Sequence, residues 1–113
     1  MALDIRFEML DTGIARIFLA GELDASTAPQ FQKEVEKAVT GKARRLVLML
    51  SDLGYIASAG LRVLVFAKQK MGPSADLYVI GAQDQIMDTL KKTGLQHSVI
   101  ALPQYDAARI ESA

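Results

Sequence analysis

The chain has 113 residues, half of them apolar, with 13 basic and 13 acidic side chains and no cysteine. That length predicts a single domain over residues 1–113, with enough apolar side chain for a real core. Balanced charge without a basic stripe speaks against nucleic-acid binding, and the missing cysteine rules out disulfides and thiolate metal sites. No apolar run approaches the roughly 20 residues that span a membrane, and no signal-peptide pattern opens the chain. A soluble cytoplasmic protein is expected.

Leu3, Ile5, Phe7 and Met9 alternate with Asp4, Arg6 and Glu8, the two-residue period of a half-buried strand. Asp11-Thr12-Gly13 is a turn signal, and Ile14 to Ala20 reads as the second strand of a hairpin. Gly21 to Ser26 reads as a connection. Thr27 with Gln30 resembles a capping box, with Pro29 suited to a first helical turn. Ala28, Phe31, Val35, Ala38 and Val39 repeat at helical spacing until Gly41. The apolar run Leu46–Leu50 predicts a strand covered on both faces. Ser58–Met71 reads as a helix ended by Gly72-Pro73, and Leu77–Ile80 as a buried strand. A short helix is expected from Gln85 to Thr93, an edge strand at Val99-Ile100 and a weak helix from Pro103 to Ser112. The order β-β-α-β-α-β-α-β-α predicts an α/β fold: a central mixed sheet of four to five strands with packed helices.

The junction Leu50-Ser51-Asp52-Leu53-Gly54-Tyr55-Ile56-Ala57-Ser58-Ala59-Gly60-Leu61-Arg62 carries the functional signal. It sets a small hydroxyl, Ser58, about where a helix begins. Helix starts expose unpaired N–H groups and the positive end of the dipole, so a phosphate on serine is electrostatically favoured there. Serine is equally a common cap, and both roles fit one position. Gly60 reads as packing space or as a backbone requirement near the helix start. At about 100° per residue, Leu61, Leu64, Ala67, Lys68 and Met71 share one face, and Ser58, Arg62, Val65, Phe66 and Gln69 share another. On that second face Arg62 is expected at the surface. Phe66 either completes the core or joins a docking strip beside Ser58.

A serine hydrolase has some formal support, because Ser58, Gly60, Asp76 or Asp84, and His97 follow in hydrolase chain order. Ile56, however, stands where the nucleophile elbow needs glycine. No phosphate-binding loop or dinucleotide fingerprint is present, so no cofactor is implied. His97 is the lone histidine, without the converging ligands of a metal site.

Three segments together resemble the STAS domain family of anti-sigma-factor antagonists. They are Gly21-Glu22-Leu23-Asp24-Ala25 ahead of the Phe31 helix, Leu46 to Leu53, and Tyr55-Ile56-Ala57-Ser58-Ala59-Gly60-Leu61. The resemblance covers essentially the whole chain and implies a non-enzymatic partner switch. The unmodified antagonist binds an anti-sigma factor, often a serine kinase, and frees the sigma factor. Phosphorylation of the serine in an Asp-Ser-x-Gly-Leu motif ends binding, and a serine phosphatase restores it. Ser58, Gly60 and Leu61 match that motif, and Asp24 matches an acidic position on the family's partner surface. Ala57 stands where the family usually has aspartate, which removes a charge and an acceptor beside the hydroxyl. The partner surface expected from the resemblance therefore comprises Asp24, Ala57, Ser58, Gly60, Arg62 and Phe66. A STAS accessory subunit of a transporter or lipid-export complex is the alternative within the family. Homodimerisation is left open by the sequence.

Overall fold

A computed structural model describes residues 3–10 and 13–111. Strands β1 (Leu3–Leu10) and β2 (Ile14–Leu23) form an antiparallel hairpin. Helix α1 (Ala28–Thr40), strand β3 (Arg45–Ile56), helix α2 (Ser58–Met71) and strand β4 (Asp76–Ile80) follow. Helix α3 (Asp84–Thr93), a 3-10 turn (Leu95–His97), strand β5 (Ile100–Leu102) and the short helix α4 (Ala107–Ile110) complete the chain. The five strands form one sheet in chain order, β1-β2-β3-β4-β5, and every pairing after the hairpin is parallel. Parallel neighbours joined in sequence by right-handed crossovers put their helices on the same side.

That side holds the main core. Ala15, Ile17 and Leu19 of β2 and Leu46, Leu48 and Leu50 of β3 pack with Phe31 and Val35 of α1, Leu64 of α2 and Leu90 of α3. The spacing that predicts α1 is borne out, with Ala28, Phe31, Val35 and Ala38 all buried. Alternate residues of the strands, Ile14, Val47, Tyr78 and Ile80, face the other way and pack with Ile110 of α4. The Arg45 guanidinium donates to the Ile110 carbonyl (2.7 Å) and helps hold this terminal helix on the sheet.

The strand boundaries differ from the expectation. Gly21-Glu22-Leu23 belongs to β2, and Ser51 to Ile56 prolongs β3, where the sequence reads connections. The two extensions pair with each other through register shifts between Phe18 and Ala20 and between Gly21 and Glu22. Gly21 has φ +111°, which glycine supplies at such an irregularity. The capping box is also absent. The Thr27 side chain makes no bond to the helix start; its buried hydroxyl donates to the Glu22 carbonyl (3.0 Å) and accepts from the Asp24 N–H (2.9 Å). The Gln30 amide donates instead to the Leu3 carbonyl. The last strand is Ile100–Leu102 rather than Val99-Ile100, and the terminal helix is four residues long. Asp11 and Thr12 of the predicted turn, and Ser112 of the predicted helix, lie outside the described residues. No helix among the described residues is long and apolar enough to cross a membrane.

Candidate functional site at the carboxyl ends of the second and third strands

β3 outruns β4. The two pair from Arg45–Asp76 to Met49–Ile80, while β3 continues beside β2 as far as Leu23–Ile56. The exposed margin of this overhang is satisfied by side chains of the segment leading into α3: Gln83 donates to the Ser51 carbonyl (3.4 Å) and Gln85 to that of Gly54. The ladder ends where the Ala57 N–H donates to the Leu23 carbonyl (2.8 Å). One bond thus joins the start of α2 to the end of β2, one residue before the Asp24 loop.

The helix cap is Ala57, not Ser58. Ala57 is extended (φ −97°, ψ 171°), and its carbonyl accepts from the Gly60 and Leu61 N–H groups. Alanine offers no side-chain acceptor, so the N–H groups of the first turn ahead of Gly60 carry no cap. Ser58 is the first helical residue and is exposed. Its hydroxyl therefore stands beside open donors at the positive end of a 14-residue helix.

Gly60 is required for packing. It is buried, and an added Cβ would lie 2.7 and 2.8 Å from Leu23 side-chain carbons and 3.0 Å from Ile56 Cγ1. Only glycine lets the first turn of α2 sit on the ends of β2 and β3.

Asp24 organises the neighbouring loop. Its Oδ1 accepts from the Ser26 hydroxyl (2.7 Å), the Ser26 N–H (2.9 Å) and the Thr27 N–H (3.1 Å). These bonds, the Ser26 hydroxyl first, hold the carboxyl below its ordinary range. The loop is thus braced by its own acid, half-buried and one residue from the Leu23–Ala57 bond.

On α2, Arg62 is exposed one turn beyond Ser58, and Val65 is 39% exposed. Arg62, Ala59 and Val63 line a shallow groove with Ala25, Pro29 and Lys33 from the α1 side. Phe66 departs from the shared-face expectation. It is half-buried and packs against the main core, with the Lys70 ammonium 5.9 Å from its ring. The structure therefore brings Asp24, Ala57, Ser58, Gly60 and Arg62 to one end of the sheet and turns Phe66 largely inward. Sequence reasoning missed Tyr55, which is 49% exposed and paired with Glu22 three residues before Ser58. Reading Leu53–Ile56 as strand, with Gly54 as the irregular residue, would have turned Tyr55 outward.

The hydrolase arrangement does not assemble. Asp84, which opens α3 after β4, shares the Ser58 end, but His97 and Asp76 precede parallel strands β5 and β4, whereas Ser58 follows β3. The length of the five-residue strand β4, about 16 Å, therefore separates them.

A family model described as STAS domain matches residues 10–108. An anti-sigma-B factor antagonist of Listeria monocytogenes is 32% identical over 96 residues, 84% of each chain. A crystal structure of an anti-sigma factor antagonist from Mycobacterium paratuberculosis superposes with TM-score 0.86 at 24% identity, over 98% of this chain and 96% of that one. The Bacillus cell fate determinant SpoIIAA in its phosphorylated form superposes with TM-score 0.73 at 15% identity, over 96% and 97%.

Proposed function

The chain belongs to the STAS domain family, and from that premise we propose that it is an anti-sigma-factor antagonist whose docking face is switched by phosphorylation of Ser58. The unmodified face binds an anti-sigma factor that is also a serine kinase, and the sigma factor is released. A serine phosphatase returns the modified form to the binding state. The relationship to the Listeria anti-sigma-B factor antagonist supports the antagonist role. The observation that carries the switch is the exposed Ser58 at the uncapped start of α2, tied through Ala57 to the Asp24 loop.

The chemistry is direct. A phosphate adds about −1.5 to −2 charges at neutral pH and three strong acceptors. The open N–H groups of α2 and Arg62, one turn on, are suited to neutralise part of that charge, so the domain tolerates it. A partner that must desolvate the same face cannot; an unpaired buried phosphate costs several kcal/mol, enough to lower affinity by orders of magnitude. In this reading Tyr55, Ser58, Arg62 and Val65 form the contact strip, and the Asp24 loop forms its shoulder.

Affinity capture from source-cell lysate, with wild-type and Ser58→Glu baits and mass spectrometry of Ser58, tests this. Wild type is expected to retain an anti-sigma factor, Ser58→Glu to lose it, and a phosphopeptide at Ser58 to be found. Equal retention by both baits with Ser58 unmodified would refute the switch.

A further inference from the structure

We propose that the free edge of β1 is a homodimer interface, along which two copies join their sheets into one continuous sheet. β1 is an edge strand of eight residues with no proline, no bulge and an unbroken register against β2. The Gly13 N–H donates to the Leu10 carbonyl to close the hairpin, so Leu10 turns its polar groups toward β2, and Glu8, Arg6 and Asp4 follow at alternate positions. Leu3, Ile5, Phe7 and Met9 therefore turn their N–H and C=O groups outward. The Leu3 carbonyl accepts the Gln30 side-chain amide (3.2 Å), which agrees with this direction and closes that end of the edge. Beyond it, no strand among the described residues lies along the outward side of Ile5, Phe7 and Met9.

Unprotected edges invite pairing, and charges on an edge strand usually prevent it. Here the charges select a register instead. Asp4, Arg6 and Glu8 alternate in sign on one face of the strand; within the chain Glu8 pairs with Arg16 (2.8 Å) and with Arg6 (3.4 Å), and Arg6, still largely exposed, lies over the Phe18 ring. An antiparallel pair centred on Phe7 sets Arg6 opposite Glu8 of the second copy, twice, and Ile5 opposite Met9 of the second copy. Centring on Arg6 or Glu8 places like charges in opposition. Centring on Ile5 requires the Leu3 carbonyl that Gln30 already holds. The Phe7 register alone matches both charge and free backbone groups, and it forms about six backbone hydrogen bonds. Met9, 38% exposed, gains cover on the helix side. Two strands separate this edge from β3 and the helix it leads into, so the Ser58 face stays free.

Sedimentation velocity over a concentration series tests the proposal, with thermal melts to confirm folding. Wild type should shift from one chain to two as concentration rises. Arg6→Glu should weaken association by about tenfold or more, because both cross-pairs become repulsive. Arg6→Lys, which keeps the charge and leaves the Glu8–Arg16 pair (2.8 Å) in place, should retain most of the association. Met9→Pro removes an outward N–H without touching the β2 ladder, and should give a folded monomer. A wild-type mass of one chain up to about 1 mM, the weak end of specific association, would overturn the proposal. So would a dimer unmoved by Arg6→Glu and Met9→Pro, or a folded Arg6→Lys variant that stays monomeric.

Discussion

Ala57→Asp isolates what alanine removes from this helix start. Ala57 already holds the extended backbone of a cap and its carbonyl already accepts the first helical bonds, so no rearrangement is needed. An aspartate there can take one of the uncapped first-turn N–H groups and place its charge at the positive helix end. The gain should be about 1 kcal/mol. For a chain of this length that raises Tm by roughly 3–5 °C. The sign with pH follows from linkage. A capping carboxylate has a folded pKa below its unfolded value of about 3.9, so the gain is present above that pH and is lost as pH falls through the folded pKa. Ala57→Asn caps without charge and should match the neutral-pH gain without the acid dependence. Thermal melts of both variants between acid and neutral pH decide the matter. If neither variant raises Tm at neutral pH, the α2 start is not short of a cap, and the anion-binding argument for Ser58 loses its basis.

Other substitutions test neighbouring parts of the site. Gly60→Ala should destabilise by about 1–3 kcal/mol in denaturant unfolding, because its Cβ meets Leu23 and Ile56. Ser58→Ala should fold with stability within about 0.5 kcal/mol of wild type, since no cap is lost, and should retain the captured partner. Phe66→Ala should cost roughly 1–3 kcal/mol of stability because half the ring is in the core, whereas Arg62→Ala should keep its melt and lower partner affinity in titration calorimetry. The Asp24 carboxyl, depressed by its loop bonds, should titrate by NMR below the ordinary 3.8. Its contribution to stability is present above that value, is lost as pH falls through its folded pKa, and should vanish in Asp24→Ala.

The order of elements was legible because each is amphipathic or apolar over its whole length. Phe31, Val35 and Ala38 are enough to place α1, and Leu46 to Leu50 the middle of β3. The strand extensions were not legible. Gly21, Glu22, Ser51, Asp52 and Gly54 have weak strand preference, and partners elsewhere in the chain hold them extended: their mutual ladder, the Leu3–Gly21 pairing, the Thr27 hydroxyl on Glu22, and Gln83 and Gln85 on the margin. The sequence puts Ser58 within one residue of the cap; residue type favours serine for that role, while the backbone turns at Ala57. Phe66 was ambiguous for a geometric reason. Residues eight apart on a helix drift by about 80°, so sharing a face with Ser58 at the first turn does not keep Phe66 outward two turns later.

The construction of this face argues that a charge at Ser58 would be read at the surface rather than through a change of fold. Gly60 leaves no slack between α2 and the strand ends, and the Ala57–Leu23 bond fixes the first turn to the sheet. The Asp24 loop is braced by its own carboxylate and by Thr27. None of these contacts uses the Ser58 hydroxyl, so adding a group there breaks no bond of the fold. A conformational switch would need two packings of similar energy, and this junction offers one. The proposed switch therefore reduces to what a partner must desolvate at Ser58. Amide hydrogen exchange separates the two mechanisms. Ser58→Glu should leave protection in β2, β3 and α2 unchanged while partner affinity falls. Lowered protection across the Leu23–Ile56 pairing would show instead that the charge is transmitted through the fold.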